Sequence, residues 1–245
     1  MTSRAGLRLY IDTPLAAHAH LPMAETHAHY LRNVLRRGPG DEVCLFNGRD
    51  GEWRARIATL DKRGGAFQTE DMTRAQTPED GPWLVVAAIK RAPLELIVEK
   101  ATELGAARIC PVTTQRTNTE RINSDRLAAI AIEAAEQCSR LTVPLIAQTK
   151  PLNDVLRDWP TPRRLYLLDE TGAGTSIVSA FASHPREQGA AILIGPEGGF
   201  AESELDAMKF LPFVNALDLG NRILRAETAA LAALACFQAI AGDWA

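Results

Sequence analysis

Up to about residue 75 the apolar positions fall in short, strand-like groups. Leu7–Ile11 predicts a short strand. Leu31, Val34 and Leu35 then follow helical spacing, and Gly38-Pro39-Gly40 ends that helix. Glu42–Phe46 and Glu52–Thr59 predict a hairpin joined through Asn47-Gly48-Arg49-Asp50-Gly51, where Asn-Gly and Asp-Gly supply the positive φ values such turns need. Gly65–Glu70 adds another strand. Together these predict a small barrel-like β domain over residues 1–75. Asp71–Pro82 is polar and rich in breakers, and it predicts a linker.

Over residues 76–245 the pattern alternates. Trp83–Ile89 is an apolar run of strand length, followed by a helix over Pro93–Leu104 with Leu94, Ile97, Val98, Ala101 and Leu104 on one face. Pro93 near its start and Gly105 after its end fit the usual asymmetry of helix termini. Arg108–Val112 predicts a strand and Ser124–Ser139 a helix. Further strands are expected at Leu145–Gln148, Leu165–Leu168, Ala191–Ile194 and Val214–Leu219. Such alternation predicts an α/β fold with a mostly parallel sheet covered by helices. The helix at Glu227–Ile240 is apolar or alanine nearly all round and is expected to be buried on more than one face.

Composition narrows the classes. At 245 residues and 46% hydrophobic, the chain can bury a sizeable core. No apolar run is long enough to cross a bilayer. Met1–Gly6 lacks a secretory-type stretch, and the four cysteines form no Cys-x-x-Cys pair. A cytoplasmic protein without a structural metal is expected. The net charge of −3 argues against binding nucleic acid by bulk attraction. Residues 1–75 nevertheless hold 11 Lys and Arg against 9 Asp and Glu, while residues 76–245 hold 16 against 21. Any RNA contact is therefore local.

Four segments could carry chemistry. Leu193–Phe200 runs from an apolar strand into Gly195-Pro196-Glu197-Gly198-Gly199, with a helix starting near Glu202. Loops at the carboxyl ends of parallel strands are where open α/β sheets bind ligands. The spacing is not that of a phosphate cradle, and Glu197, Glu202 and Glu204 would repel phosphate, so a neutral or cationic ligand such as a sulfonium suits it better. A tight strand-to-helix turn without a ligand fits the same residues. The second segment is Leu219-Gly220-Asn221-Arg222-Ile223-Leu224-Arg225-Ala226-Glu227-Thr228, another strand–loop–helix junction. The third, Glu133–Pro144, closes a helix with the polar residues Glu136 and Arg140; a solvated helix end is the plainer reading of it. The fourth, His29–Arg37, places Arg32, Arg36 and Arg37 near one helical face, as a phosphate-contact patch or a solvated basic face. His18, His20, His27 and His29 lack metal-ligand partners in the sequence.

Gly195-Pro196-Glu197-Gly198-Gly199 followed by Leu219-Gly220-x-Arg222-Ile223-Leu224-Arg225-x-Glu227-Thr228-Ala229 resembles the RsmE family of 16S ribosomal RNA uridine-N3 methyltransferases, of the SPOUT class. His29–Arg36 with Gly38-x-Gly40-Asp41, Lys100–Gly105, and Glu136-Gln137-Cys138-x-Arg140-x-x-x-Pro144 agree in order along the chain. Asn221 departs from the pattern, standing where many members would carry proline. The resemblance implies a PUA-like N-terminal domain over residues 1–75 and a SPOUT domain over residues 76–245 with a trefoil knot. Periodicity alone leads instead to an ordinary Rossmann-like sheet, because chains generally avoid knots. The resemblance also implies a homodimer acting on 16S rRNA of the small ribosomal subunit, with S-adenosylmethionine as cofactor.

Residue by residue, Leu168, Gly195, Pro196, Glu197, Gly198, Gly199, Leu219, Gly220, Ile223, Leu224 and Thr228 are expected at the cofactor. Arg32, Arg36, Arg37, Arg116, Arg140 and Arg222 are expected at RNA. Arg225 is the candidate for stabilising a uridinate anion, with Glu227 or Glu136 as base or orienting group. Two other readings stay open: a SPOUT enzyme acting on transfer RNA or a ribose 2′-hydroxyl, and a non-catalytic RNA-binding protein.

Overall fold

The computed structural model describes residues 6–117, 122–185 and 187–245; Met1–Ala5, part of the stretch read above for export, lie outside them. Two compact units emerge, residues 1–78 with 135–143, and residues 79–134 with 144–245.

In the first unit, β1 (Arg8–Tyr10), β2 (His20–Met23), β3 (Glu42–Phe46), β4 (Glu52–Leu60) and β5 (Gly65–Arg74) form a sheet in the order β1-β3-β4-β5-β2. Strand β1 runs parallel to β3, and the other pairings are antiparallel. The expected hairpin is β3–β4, with Phe46 opposite Glu52 and both Gly48 and Gly51 at positive φ. Its core gathers Leu9, Leu31, Leu45, Ile57 and Phe67, each at most 1% exposed. Full burial of such a side chain contributes about 1.5–3 kcal/mol relative to exposure.

The structure departs from expectation in three places. Strand β5 runs through Arg74, so the first third of the expected linker is sheet. Its polar sequence is tolerated because the partners are charged: Arg54 bonds Asp71 at 2.6 Å and lies 3.2 Å from Glu70. The helix α1 (Glu25–His29) widens into a π turn over Tyr30–Val34, with the Leu35 N–H bonded to the Tyr30 carbonyl. The wider turn shifts the helical phase, leaving Leu31 buried but Val34 59% exposed. Strand β2 escapes the hydrophobic pattern because Pro22 interrupts a short run.

The second unit contains β6 (Trp83–Ala87), α2 (Arg91–Glu103), β7 (Arg108–Thr113), α3 (Ser124–Gln137), β8 (Leu145–Ile146), β9 (Lys150–Pro151) and α4 (Leu152–Arg157). It continues with β10 (Arg164–Leu168), β11 (Thr175–Ser176), α5 (Ile177–Ala182), β12 (Ala190–Ile194), α6 (Glu202–Lys209), β13 (Val214–Asp218) and α7 (Ala226–Ile240). The last three residues of α3 group with the first unit. The sheet runs β11-β13-β10-β12-β6-β7-β8, with β9 also on β7, and every pairing among the described residues is parallel. Residues of α4 and α6, Leu152, Leu156 and Met208, join Val85, Leu165, Leu167 and Leu193 of the sheet in one core cluster. Helix α7 packs against α2, α5 and β12.

Helix α7 is not buried all round within one chain. Its buried positions Ala226, Ala229, Ala230, Ala233, Leu234, Phe237 and Gln238 make a single face. Leu231, Ala232, Ala235 and Cys236 on the other side are half-buried. Near its end, Gln238 donates from Nε2 to the Leu104 carbonyl at 2.7 Å, so the amide secures the end of α2.

Candidate functional site

Strand β10 lies between β13 and β12, with Leu168 opposite Leu217 and Leu167 opposite Leu193. Because all three run the same way, their carboxyl ends share one edge. Strand β13 follows β12 in the chain yet pairs on the far side of β10, a crossover that opens a crevice at that edge. Three loops line it: Asp169–Gly172 after β10, Gly195–Phe200 after β12, and Leu219–Arg225 after β13. Ala226 and Ala229 of α7 complete a cavity of about 540 Å³, a size suited to a nucleoside-sized ligand.

The glycines of the second loop differ in purpose. Gly195 packs under the ring of Phe200; a Cβ there would lie 2.8 Å from a ring carbon. Gly199 has a φ of +68° and sits against the Glu170 carboxylate, so an L side chain would be strained and would collide with it. Gly198 is not part of the cavity lining, and its carbonyl accepts a bond from Arg116 at 3.1 Å. The loop is pinned by Glu204, 5% exposed, whose carboxylate accepts from Gln115 N–H at 2.9 Å and Ala201 N–H at 3.0 Å. The second bond caps the start of α6 and the first ties that start to the loop after β7.

Charge in the lining comes from Asp169, Glu170, Glu197 and Asp218 against Arg222 and Arg225. Asp218 accepts Gly220 N–H at 2.8 Å, which shapes the third loop where Gly220 takes a φ of +91°. Arg222 and Arg225 are exposed, and among the described residues neither side chain makes a hydrogen bond or ion pair. Ile223 between them is 81% exposed.

Of the residues expected at the cofactor, Leu168, Gly195, Pro196, Glu197, Gly199, Leu219, Gly220, Ile223 and Leu224 line this one cavity. Gly198 and Thr228 do not. Arg225 lines it, whereas Glu227 is half-buried in the first turn of α7, outside the wall. Asp169 and Glu170 line it too and escape a reading of the sequence, because a strand end followed by Asp-Glu-Thr-Gly looks like a plain turn.

Glu136 and Arg140 belong with the first unit. Glu136 Oε1 accepts the Tyr10 N–H at 2.8 Å, and the carbonyls of Glu136 and Arg140 both accept from Arg8. Arg140 is 9% exposed and bonds Thr142 at 3.0 Å. The segment thus has a structural task there. Arg32, Arg36 and Arg37 are all exposed, and Arg36 leaves the helix with a φ of +53°.

The fold and the cavity define an α/β cofactor-binding domain joined to a small β unit. The RNA methyltransferase domain family matches residues 79–238, and the RNA methyltransferase PUA domain family matches residues 26–68. The chain is 34% identical over 229 residues to the ribosomal RNA small subunit methyltransferase E of Rickettsia conorii, covering 93% of each. It is 30% identical to that of Synechocystis, covering 95% of this chain and 77% of the relative. The solved structure of the Neisseria gonorrhoeae ribosomal RNA small subunit methyltransferase E bound to S-adenosyl methionine superposes with a TM-score of 0.83 at 26% identity, covering 97% of this chain and 99% of the other. A Legionella pneumophila chain solved with bound SAM gives 0.84 at 27% identity, covering 97% and 98%. The chain belongs to the RNA methyltransferase family that includes the ribosomal RNA small subunit methyltransferases E.

Proposed function

We propose that the protein transfers a methyl group from S-adenosylmethionine to N3 of a uridine in 16S ribosomal RNA of the small subunit, working in the cytoplasm as a homodimer whose methyltransferase domain is threaded as a trefoil knot. The observation that carries this reading is the cavity over the carboxyl ends of β10, β12 and β13. Its volume, its glycine-lined wall at Gly199 and its excess of carboxylates fit an adenosyl sulfonium. The relatives named for small-subunit rRNA methylation, and the neighbour bound to S-adenosyl methionine, support the same chemistry.

When bound, the sulfonium supplies an electrophilic methyl group. The rest is alignment and proton control by the chain's own residues. Uracil N3 carries a proton that must leave before the nitrogen attacks well. Each pKa unit by which the site favours uridinate corresponds to about 1.4 kcal/mol. Arg225 lines the cavity without an internal acidic partner, so its guanidinium is available to the uridinate oxygens. Arg222, equally unpaired, is the cation we assign to an RNA phosphate. Glu227, two residues beyond Arg225 in the first turn of α7, is the carboxylate we assign to take the proton. Mass spectrometry of nucleosides from small-subunit rRNA, with and without the gene, tests the reading. Loss of 3-methyluridine is expected. Loss of a ribose-methylated or tRNA nucleoside instead would overturn the choice of substrate, and no change at all would favour a binding protein.

A further inference from the structure

Resting on that methyltransferase reading, we propose that Glu170, backed by Asp169, is the counter-charge by which the cavity distinguishes the cationic cofactor from its neutral demethylated product. Both residues follow directly on the last residue of β10 and line the cavity. Their surroundings give them different parts. Asp169 is 6% exposed, and its Oδ1 accepts the Thr171 N–H at 2.9 Å. Its Oδ2 is buried without a hydrogen-bond partner among the described residues. Asp169 lines the cavity, so its unpartnered oxygen adds to the negative field there.

Glu170 is exposed, and its side chain makes no hydrogen bond or ion pair among the described residues. It lies over Gly199, where the missing Cβ leaves room for the carboxylate at the cavity wall. A carboxylate held at a ligand cavity with no cation of the protein beside it is free to face a cationic ligand. Carboxylates outnumber guanidiniums four to two in the lining, and low-dielectric walls strengthen that field inside the crevice. Methyl transfer removes the positive charge from the ligand sulfur. The attraction is therefore present before transfer and absent after it, which favours exchange of product for fresh cofactor.

Three ligands that differ around one centre test this on the whole chain. S-Adenosylmethionine carries a sulfonium, sinefungin a protonated amine at the same place, and S-adenosylhomocysteine a neutral thioether. Titration calorimetry of Glu170→Gln should show S-adenosylmethionine and sinefungin weakened about fivefold, the size of a partly exposed ion pair, with S-adenosylhomocysteine almost unchanged. Raising the salt should narrow the difference in the wild type. An equal loss for all three ligands, or no loss for the two cations, overturns the inference while leaving the methyltransferase reading standing. If the wild-type protein binds none of them, that reading falls and this inference with it.

Discussion

Arg8 and Glu52 form a buried ion pair, Nε to Oε2 at 2.6 Å, with side chains 2% and 8% exposed. The Nη atoms of the same guanidinium donate to carbonyls of the segment that closes α3: Ala135 at 2.7 Å, Glu136 at 3.0 Å and Arg140 at 2.6 Å. The Phe46 ring lies with its centroid 4.3 Å away. One side chain thus neutralises Glu52 and satisfies carbonyls at the end of a helix, where backbone acceptors lack partners. Arg8→Ala would remove the nearest cation from a buried carboxylate, leaving it Thr73 at 3.0 Å and Arg74 at 3.7 Å, and would take three donated bonds from the segment that closes α3. Urea unfolding should show a loss of about 3–5 kcal/mol. A loss below about 1 kcal/mol would mean that the pair is no more than a surface ion pair in effect.

What the sequence made legible was local. The loops Gly195–Gly199 and Leu219–Arg225 stand out because a strand, a glycine and a helix start fall within a few residues. Their meeting in one cavity with the loop after β10 depends on the order β13-β10-β12, which no local pattern encodes. The same limit hid the task of residues 135–143: a polar helix end reads as solvated until Arg8, far away in sequence, is found against it. It also hid the half-exposed side of α7, since an apolar helix says that it is buried but not by what. The short elements β9, β11, α4 and α5 are too brief for any period to register.

Gly199→Val brings together two costs at one position. Its φ of +68° disfavours a β-branched side chain, and the new Cβ would displace the Glu170 carboxylate at the cavity wall. Affinity for S-adenosylmethionine should fall well beyond tenfold, corresponding to more than about 1.4 kcal/mol. The check is calorimetry on protein whose circular dichroism and melting show it folded. Unchanged affinity in a folded variant would remove this loop from the site.

Glu95 gives a pH test. Hydrogen bonds from Arg126 and Arg91 hold its carboxylate at a pKa of about 2, well below the usual range, and the pair with Arg126 links α2 to α3. The folded value is depressed, so the stabilisation is complete above the ordinary carboxylate pKa of about 4.3 and is lost as pH falls toward about 2. In melting curves, any gap between wild type and Glu95→Gln should be constant near neutrality and close progressively from about pH 4 downward. A gap that widened on acidification would reverse the assigned sign.

The half-buried side of α7, with Leu231, Ala232, Ala235 and Cys236, is apolar and ends near Trp244, 58% exposed. That face is what a homodimer would cover. Sedimentation equilibrium should find the dimer at micromolar concentration, and Ala235→Arg should shift it to monomer by burying an unpaired charge. A wild-type monomer under those conditions would exclude the proposed assembly.

The last prediction separates the tasks of the two units. Arg32 and Arg36 are exposed on the first unit, while Arg225 lines the cavity of the second. Phosphate contacts hold RNA and make binding salt-dependent, each adding about 0.7 to 0.9 to the slope of log affinity against log salt. Arg32→Ala with Arg36→Ala should therefore weaken RNA binding and flatten that slope, with cofactor affinity unchanged. Arg225→Ala should slow single-turnover methylation even when RNA and cofactor are both saturating, because a group that stabilises the uridinate acts on the transition state more than on binding. Part of that loss should be recovered at higher pH, where more of the uridine ionises without help. The double variant losing cofactor affinity, or Arg225→Ala losing RNA affinity alone with its saturated rate intact, would show that the division does not run between these residues.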